Sequence, residues 1–342
     1  MSKEAYIGIN NVAHKIKKGY IGIDGVARKI KKAYIGIGGV ARPCWSGGEL
    51  VYYGTIENLG VATPGLAATH VGDYAIFGGG AESNGKATEA YNKYLTKIEA
   101  TQFTQLTGTG VGYYRSGLVA THTGGRAIFA GGMYSTSVYN YVDIYDHSLT
   151  KITSALGVGR WSLAATHVGD YALFGGGFTE DDTSDPTSVV EAYNSSFTRI
   201  SSVSPLEIQA GQLTSAHVGN YALFCGGLYY SMGTGYNNVT AYDVNLVKTT
   251  PTKLSVGRYL SAGTHVGDYA LFGGGFVDTH GGIYCTDTVE VYDSSLTRTD
   301  INSLSERKYS LAATHIGNHA LFGGGRRVGS IYCSSVDAYA VV

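Results

Sequence analysis

The sequence predicts an all-β protein, a six-bladed β-propeller preceded by tandem β-hairpins, and three observations carry that reading. First, the stretch "LAATHVGDYALFGGG" (163–177) returns with small changes at 66–80, 118–132, 213–227, 261–275 and 311–325. Its aligned histidines, His70, His122, His167, His217, His265 and His315, stand 52, 45, 50, 48 and 50 residues apart, a period that belongs to propellers, solenoids and arrays. Second, each copy divides into four short segments separated by Gly, Asn, Asp and Ser, the punctuation of antiparallel strands. Third, residues 5–43 repeat every 14 residues around Asn-Asn, Asp-Gly or Gly-Gly.

The leading repeats read "AYIGINNVAHKIKK", "GYIGIDGVARKIKK" and "AYIGIGGVARPCWS". A two-residue hairpin turn needs positive φ at its centre, which Asp-Gly and Gly-Gly supply. Three hairpins are therefore expected in a region 1–43, with the propeller domain in 44–342. A lone hairpin is marginal in water, so these gain order by packing on each other, on a sister chain or on a larger assembly. Residues 1–43 hold nine Lys/Arg against two acids, a net +7, and the remainder holds 16 against 24, a net −8. Tyr6, Tyr20, Tyr34, Lys15, Lys17, Arg28, Lys29 and Lys31 are the candidate attachment residues, with a solvated strand face as the alternative for the lysines. Opposite charge in the two regions suits an electrostatic dock for an acidic partner. These repeats resemble the leading segments of tail-associated proteins from phages of Gram-positive bacteria. The resemblance implies a virion location and other virion proteins as partners.

Within each large repeat, "LAATH" and "YALF" are joined by Val-Gly-Asp or Val-Gly-Asn, and "VEAY" and "LTRI" by a turn rich in Asn, Asp and Ser. Tyr171 and Leu173 fall on one face of the second segment and Ala172 and Phe174 on the other. Both faces are apolar, so that strand is sandwiched. The first segment is mostly Ala, Ser and Thr, which suits inner strands crowded around an axis. The triple glycine follows a strand, with neither a P-loop lysine nor a helix after it, so it is read as backbone bending where side chains do not fit. The last repeat ends at "VDAYAVV" without a fourth segment, and "VYYGTIENLG" (51–60) precedes the first. Pairing residues 51–58 with blade six would close the ring with an N-terminal outer strand.

The Gly-Gly pair closing the second strand, the aromatic before Asp or Asn closing the third, and the period near 50 resemble the kelch family. The resemblance recurs six times within 44–342, over about 280 of the 342 residues, and implies a kelch-like propeller. The tryptophan expected seven residues after the third-strand tyrosine is replaced by Ile98, Ile152, Ile200, Thr249 and Thr299, which marks a divergent branch.

Loops between the second and third strands and those leading into the first emerge at one mouth, and the former vary most. A constant scaffold with variable loops at one end is where binding is commonly mounted. Candidate ligand-binding residues there are Tyr113, Tyr139, Trp161, Phe178, Tyr229, Tyr230, Tyr236, Tyr259, Tyr284 and Tyr332. Aromatic faces with amide and carboxylate neighbours suit sugars and protein interfaces alike. Arg115, Arg160, Arg258 and Lys308 stand seven residues before their repeat histidines, with Thr63 and Ala210 at the same place in blades one and four. They are expected either as a partial basic ring at the mouth or as scaffold. The six histidines are expected to be structural, each bonding a backbone group without converging.

No catalytic motif, metal-ligand spacing or cofactor fingerprint is present in the sequence, so no enzyme activity, cofactor or metal is expected. The four cysteines form no CxxC pair and are expected as reduced thiols. A signal peptide, a transmembrane segment and a nucleic-acid-binding module are not expected. The functional expectation is a phage structural protein of the tail or baseplate that binds a host-surface glycan or protein through the propeller. Alternatives are a capsid or tail decoration protein without a receptor role, and a cellular kelch-type module.

Overall fold

The computed structural model describes the strands between residues 5 and 45 and, beyond them, residues 66–80, 88–98, 100–103, 115–182, 185–229, 234–279, 282–316, 319–329 and 331–341. Every regular element among them is a β-strand. The chain divides into two compact units, Met1–Asn58 and Leu59–Val342.

The first unit holds three antiparallel hairpins, Ala5–Ile9 with Val12–Ile16, Gly19–Ile23 with Val26–Ile30, and Ala33–Ile37 with Val40–Trp45. Their register repeats: Tyr6 is opposite Lys15 and Tyr20 opposite Lys29. In the third, Tyr34 is opposite Pro43 and the register slips between Ala33 and Tyr34. The last strand runs through Trp45, past the boundary set by the repeat period.

The second unit is a ring of radial antiparallel sheets, five with four strands and the sixth with three. In blade three, Ala164–Val168, Tyr171–Gly175, Val190–Tyr193 and Arg199–Ile200 lie in that order from the inside outward. Small residues keep the inner strand narrow, and the sandwiched strand buries Ala172, Leu173 and Phe174 completely. Blade six consists of Ala312–Ile316, His319–Gly323 and Val336–Ala340. The segment 51–58, expected to complete it, lies outside the described residues.

Five hydrophobic clusters fill the spaces between consecutive blades, such as Leu173, Val190 and Ala192 of blade three against Ala222, Phe224 and Tyr242 of blade four. No sixth cluster joins blades six and one among the described residues. Their facing surfaces are accordingly open: Ala75 is exposed where its counterparts Ala127, Ala172, Ala222, Ala270 and Ala320 are fully buried.

The third-to-fourth strand turns are built alike in blades one to five. Asp146 Oδ1 accepts the Ser148 and Thr150 amides at 2.9 and 3.1 Å, and Asn92, Asn194, Asp243 and Asp293 do the same. These Asx bonds hold a bulky residue in the left-handed region, including Leu149 at φ 58° and Leu246 at φ 63°. Left-handed backbone costs a non-glycine residue about 1–2 kcal/mol. Burial of the side chain offsets it, since Leu149 is 5% exposed.

The aromatic that closes the third strand has two tasks. Each packs edge-to-face on the phenylalanine of the second strand, as in Phe174–Tyr193 at 6.1 Å and Phe224–Tyr242 at 6.1 Å. Its hydroxyl then donates to the preceding blade: Tyr193 to Ala155 O at 2.9 Å, Tyr242 to Ser204 O at 2.7 Å, Tyr292 to Thr252 O at 2.6 Å and Tyr339 to Asn302 O at 2.9 Å. Tyr242→Phe keeps the ring packing and removes one such staple, the bond to the Ser204 carbonyl. We expect a loss of about 1–2 kcal/mol in urea unfolding; an unchanged midpoint would show that the hydroxyl is not a staple.

Candidate functional site

The loops between the second and third strands are themselves folded. Four form short hairpins, Met133–Tyr134 with Ser137–Val138, Leu228–Tyr229 with Thr234–Gly235, Phe276–Thr279 with Gly282–Cys285, and Arg326–Arg327 with Ile331–Tyr332. The sequence reading took them as variable loops; their lengths hid the hairpins. Each is anchored by a β-bridge to the residue three before its own blade's inner strand, as in Tyr259 to Phe276, and the blade-three loop is held the same way by Trp161 to Phe178. A rigid ring thus carries stiff, sequence-variable projections on one face.

The aromatic candidates divide by exposure. Tyr332 is 73% and Tyr284 41% exposed, and Tyr139, Trp161, Tyr229, Tyr236 and Tyr259 are half-buried. Trp161 Nε1 donates to Glu180 O at 2.7 Å, which fixes the indole over the blade-three loop. Tyr139 stacks on Tyr141 at 5.6 Å, and Tyr332 covers the Arg326 guanidinium at 4.8 Å. Tyr236 lies near Tyr229, and burial raises its phenol pKa. Phe178 is a correction: it is fully buried, packed at 5.3 Å from Trp161, and supports the face rather than forming it. Tyr113 and Tyr230 lie outside the described residues.

The basic-ring alternative is corrected as well. Arg115, Arg160, Arg258 and Lys308 are each 0% exposed, turned into their blades. Arg160 donates from Nη2 to Glu191 Oε2 at 2.9 Å and from Nη1 to the Gly176 and Val189 carbonyls at 2.9 and 2.8 Å. Arg115 with Asp143 and Arg258 with Glu290 repeat this arrangement, and Lys308 Nζ reaches Asp337 Oδ2 at 2.9 Å. Outer-strand cations complete the carboxylates: Lys151 on Asp143 at 3.0 Å, Arg199 on Glu191 at 2.8 Å and Arg298 on Glu290 at 2.9 Å. Burial pulls the three arginine pKa values down from their ordinary value, with the paired carboxylates acting against it. These groups clamp the second strand to the third and are not themselves presented at the mouth. Blade four carries Ala210 and Thr240 in place of the pair.

Of the attachment candidates, Tyr6, Tyr20, Tyr34, Lys15, Arg28 and Lys29 lie within the hairpin strands. Lys17 and Lys31 lie outside the described residues.

The axis holds what the sequence reading missed. The repeat histidines do converge: successive ring centroids lie 4.4, 4.3, 4.1, 3.7 and 3.8 Å apart from His70 around to His315, tilted 44–51° to one another. No hydrogen bond of any of the six is present among the described residues, against the expected backbone bonds. Alternation explains the geometry. In Ala164–Val168 the residues Ala164, Thr166 and Val168 are buried and Ala165 and His167 are not, so the histidine and the small residue two before it face the channel. Burial pushes His122 and His217 down to about 3 and His265 to about 4, with the neighbouring histidines adding to the fall. Burial followed by like-charge repulsion lowers His167 and His315 too.

Toward the loop face the channel widens into a cavity of about 280 Å³ lined by Leu118, Leu163, Leu213, Ala120, Ala165 and Ser215, among others. Above it a collar of backbone bonds runs from blade to blade: Ser162 N to Gly117 O at 2.8 Å, Gln212 N to Ser162 O at 2.8 Å, Leu260 N to Gln212 O at 3.1 Å and Ser310 N to Leu260 O at 2.8 Å. All five collar residues have φ between 51° and 63°. Among the described residues no group of three or more His, Cys, Asp or Glu is arranged to hold a metal ion.

No family model matches the chain, and no curated protein matches it. Solved structures do. The structure described as "Structure of YjhT" is 13% identical, with a TM-score of 0.64, over 84% of this chain and 97% of that one. At that identity the likeness shows the fold alone. The chain is a six-bladed β-propeller. Its kelch-like repeats remain a resemblance of sequence.

Proposed function

We propose that this is a virion structural protein, tail- or baseplate-associated, that binds a host-surface glycan or protein through its loop face and attaches to the particle through the hairpins of residues 1–43. The observation that carries the binding half is the loop face itself: a bridged ring bearing stiff, sequence-variable hairpins in four blades, with Tyr284 and Tyr332 exposed and Trp161 and Tyr259 half-buried. Pre-organised aromatics lose little conformational entropy on binding. Among the described residues the channel offers no nucleophile paired with a base, which favours binding over catalysis. The attachment half rests on the net charge of +7 and the phage-like repeats.

The test is a titration of the labelled full chain against intact Gram-positive cells and purified wall glycan, beside a Trp161→Ala, Tyr259→Ala, Tyr284→Ala variant. Saturable binding weakened at least about tenfold in the variant is expected, since aromatic anchors dominate such interfaces. Absence of binding across a broad host panel would refute the receptor role and favour decoration of the particle.

A further inference from the structure

The six histidines form an iris across the propeller axis, and its dimensions restrict what it can hold. Successive ring centroids from His70 around to His315 lie 3.7–4.4 Å apart, so the six imidazoles form a tight arc around the axis. An imidazole that keeps its N–H offers a hydrogen-bond donor, and among the described residues no cluster is arranged to hold a metal ion, so the arc suits a hydrogen-bonded guest.

Three further features concern the guest's charge. Every neutral imidazole has one N–H to donate, and no hydrogen bond to these six rings is present among the described residues. Side chains two residues before the histidines, Ala68, Ala120, Ala165, Ser215, Gly263 and Ala313, contribute no charge to the channel. The ionisable groups nearest the iris are at the turns: Asp73 bound to Lys93, Arg126 near Asp146, His147 against Gly72 and Gly125, and Asp170, Asp268 and His319 on the turn strands. None of these figures among the groups that shift the iris histidines, which act on one another.

We propose that the histidine iris is a binding site for one small inorganic anion of the halide class, held on the propeller axis by imidazole N–H groups and bound more tightly as protons are added. The anion supplies acceptors to donors that lack them and screens the repulsion between charged rings. Each proton taken up with the anion steepens its pH dependence through linkage. Entry is along the channel, past the arc of rings.

Bromide is the probe, because its anomalous scattering identifies it against water. Crystals of the full chain soaked in bromide at pH 5.0 are expected to show one anomalous peak on the axis between the rings. Absence of that peak, or a water there instead, overturns the proposal. In solution, bromide titrated at constant ionic strength against gluconate is expected to raise the unfolding temperature saturably. The apparent affinity should be at least about tenfold higher at pH 5.0 than at pH 7.5. His217→Gln with His265→Gln, similar in size and untitratable, should reduce the response by at least about tenfold. An equal response in that variant, or one independent of pH, means surface binding only and overturns the proposal. Should the double variant fail to fold, the anomalous map of the unaltered chain decides alone. The loop-face reading stands or falls separately.

Discussion

Replacing Arg160 by alanine is expected to destabilise the propeller by about 3–5 kcal/mol, because it strands a buried carboxylate. Glu191 is 2% exposed. Its remaining partners would be Arg199 at 2.8 Å and the Gly157 amide at 2.8 Å, both nearer the surface. The more informative result is the double variant Arg160→Ala with Glu191→Thr, which installs in blade three the residues that blade four already has. Ala210 is 1% exposed, and Thr240 Oγ1 accepts the Glu207 amide at 3.3 Å where Glu191 accepts that of Gly157. Desolvating two ions costs several kcal/mol each, and the Nε–H groups of Arg115, Arg160 and Arg258 have no acceptor. The buried pair is therefore weak net support although breaking it is costly. We expect the double variant to recover at least half of the single variant's loss, read as urea midpoints at constant slope. A double variant as unstable as Arg160→Ala alone would show that the clamp is intrinsically stabilising and that blade four compensates elsewhere.

Blade four also shows where the sequence was legible and where it was not. The strands, the glycine pairs and the Asx turns could be read because each is fixed by residues close in sequence: Gly176 and Gly177 sit at φ 65° and 99°, and a Cβ on Gly177 would come within 2.9 Å of the Trp161 carbonyl. The arginines were singled out by position but left open between mouth and scaffold. What decides between those is the carboxylate 28 to 32 residues on, and its joint loss with the arginine in blade four was a usable signal. Blade one blurs it, since its sequence keeps Glu89 while carrying Thr63 at the arginine position, and Glu89 pairs instead with Lys97 at 2.6 Å. The aromatic face was legible as a group, but not member by member: Phe178 and Trp161 are neighbours in space, one buried and one presented. The iris was not legible, because the inward turn of His167 depends on the tilt of a strand relative to an axis that no single repeat defines. A spacing of about 50 residues gives the number of rings and nothing of their distance from the centre.

Acidification is expected to weaken the protein between about pH 6.5 and pH 4, with the iris as the main cause. An unfolded histidine titrates near 6.5, whereas burial and mutual repulsion hold His122 and His217 down to about 3 and His265 to about 4 in the fold, with His167 and His315 also lowered. Above pH 6.5 both states carry neutral rings and the histidines contribute no slope. Below it the unfolded chain binds protons that the folded ring refuses, so stability falls as pH falls. The slope ends when the folded rings are protonated too, at about pH 3 to 4. Carboxylates act lower: Asp337, held down by hydrogen bonds to Lys308 and Ser305 against its desolvation, loses its contribution only below the ordinary carboxylate range. The interval from pH 6.5 to 5 therefore belongs to the histidines, and urea midpoints at pH 7.5, 6.0 and 5.0 should decline steadily. His122→Gln with His217→Gln removes two of the most strongly lowered rings and should flatten that decline. Halide-free buffer is required, because an anion on the axis would favour the charged rings and mask the effect. A midpoint that holds from pH 7.5 to 5.0, or a decline that the double variant shares in full, would mean that the rings part and hydrate as they charge.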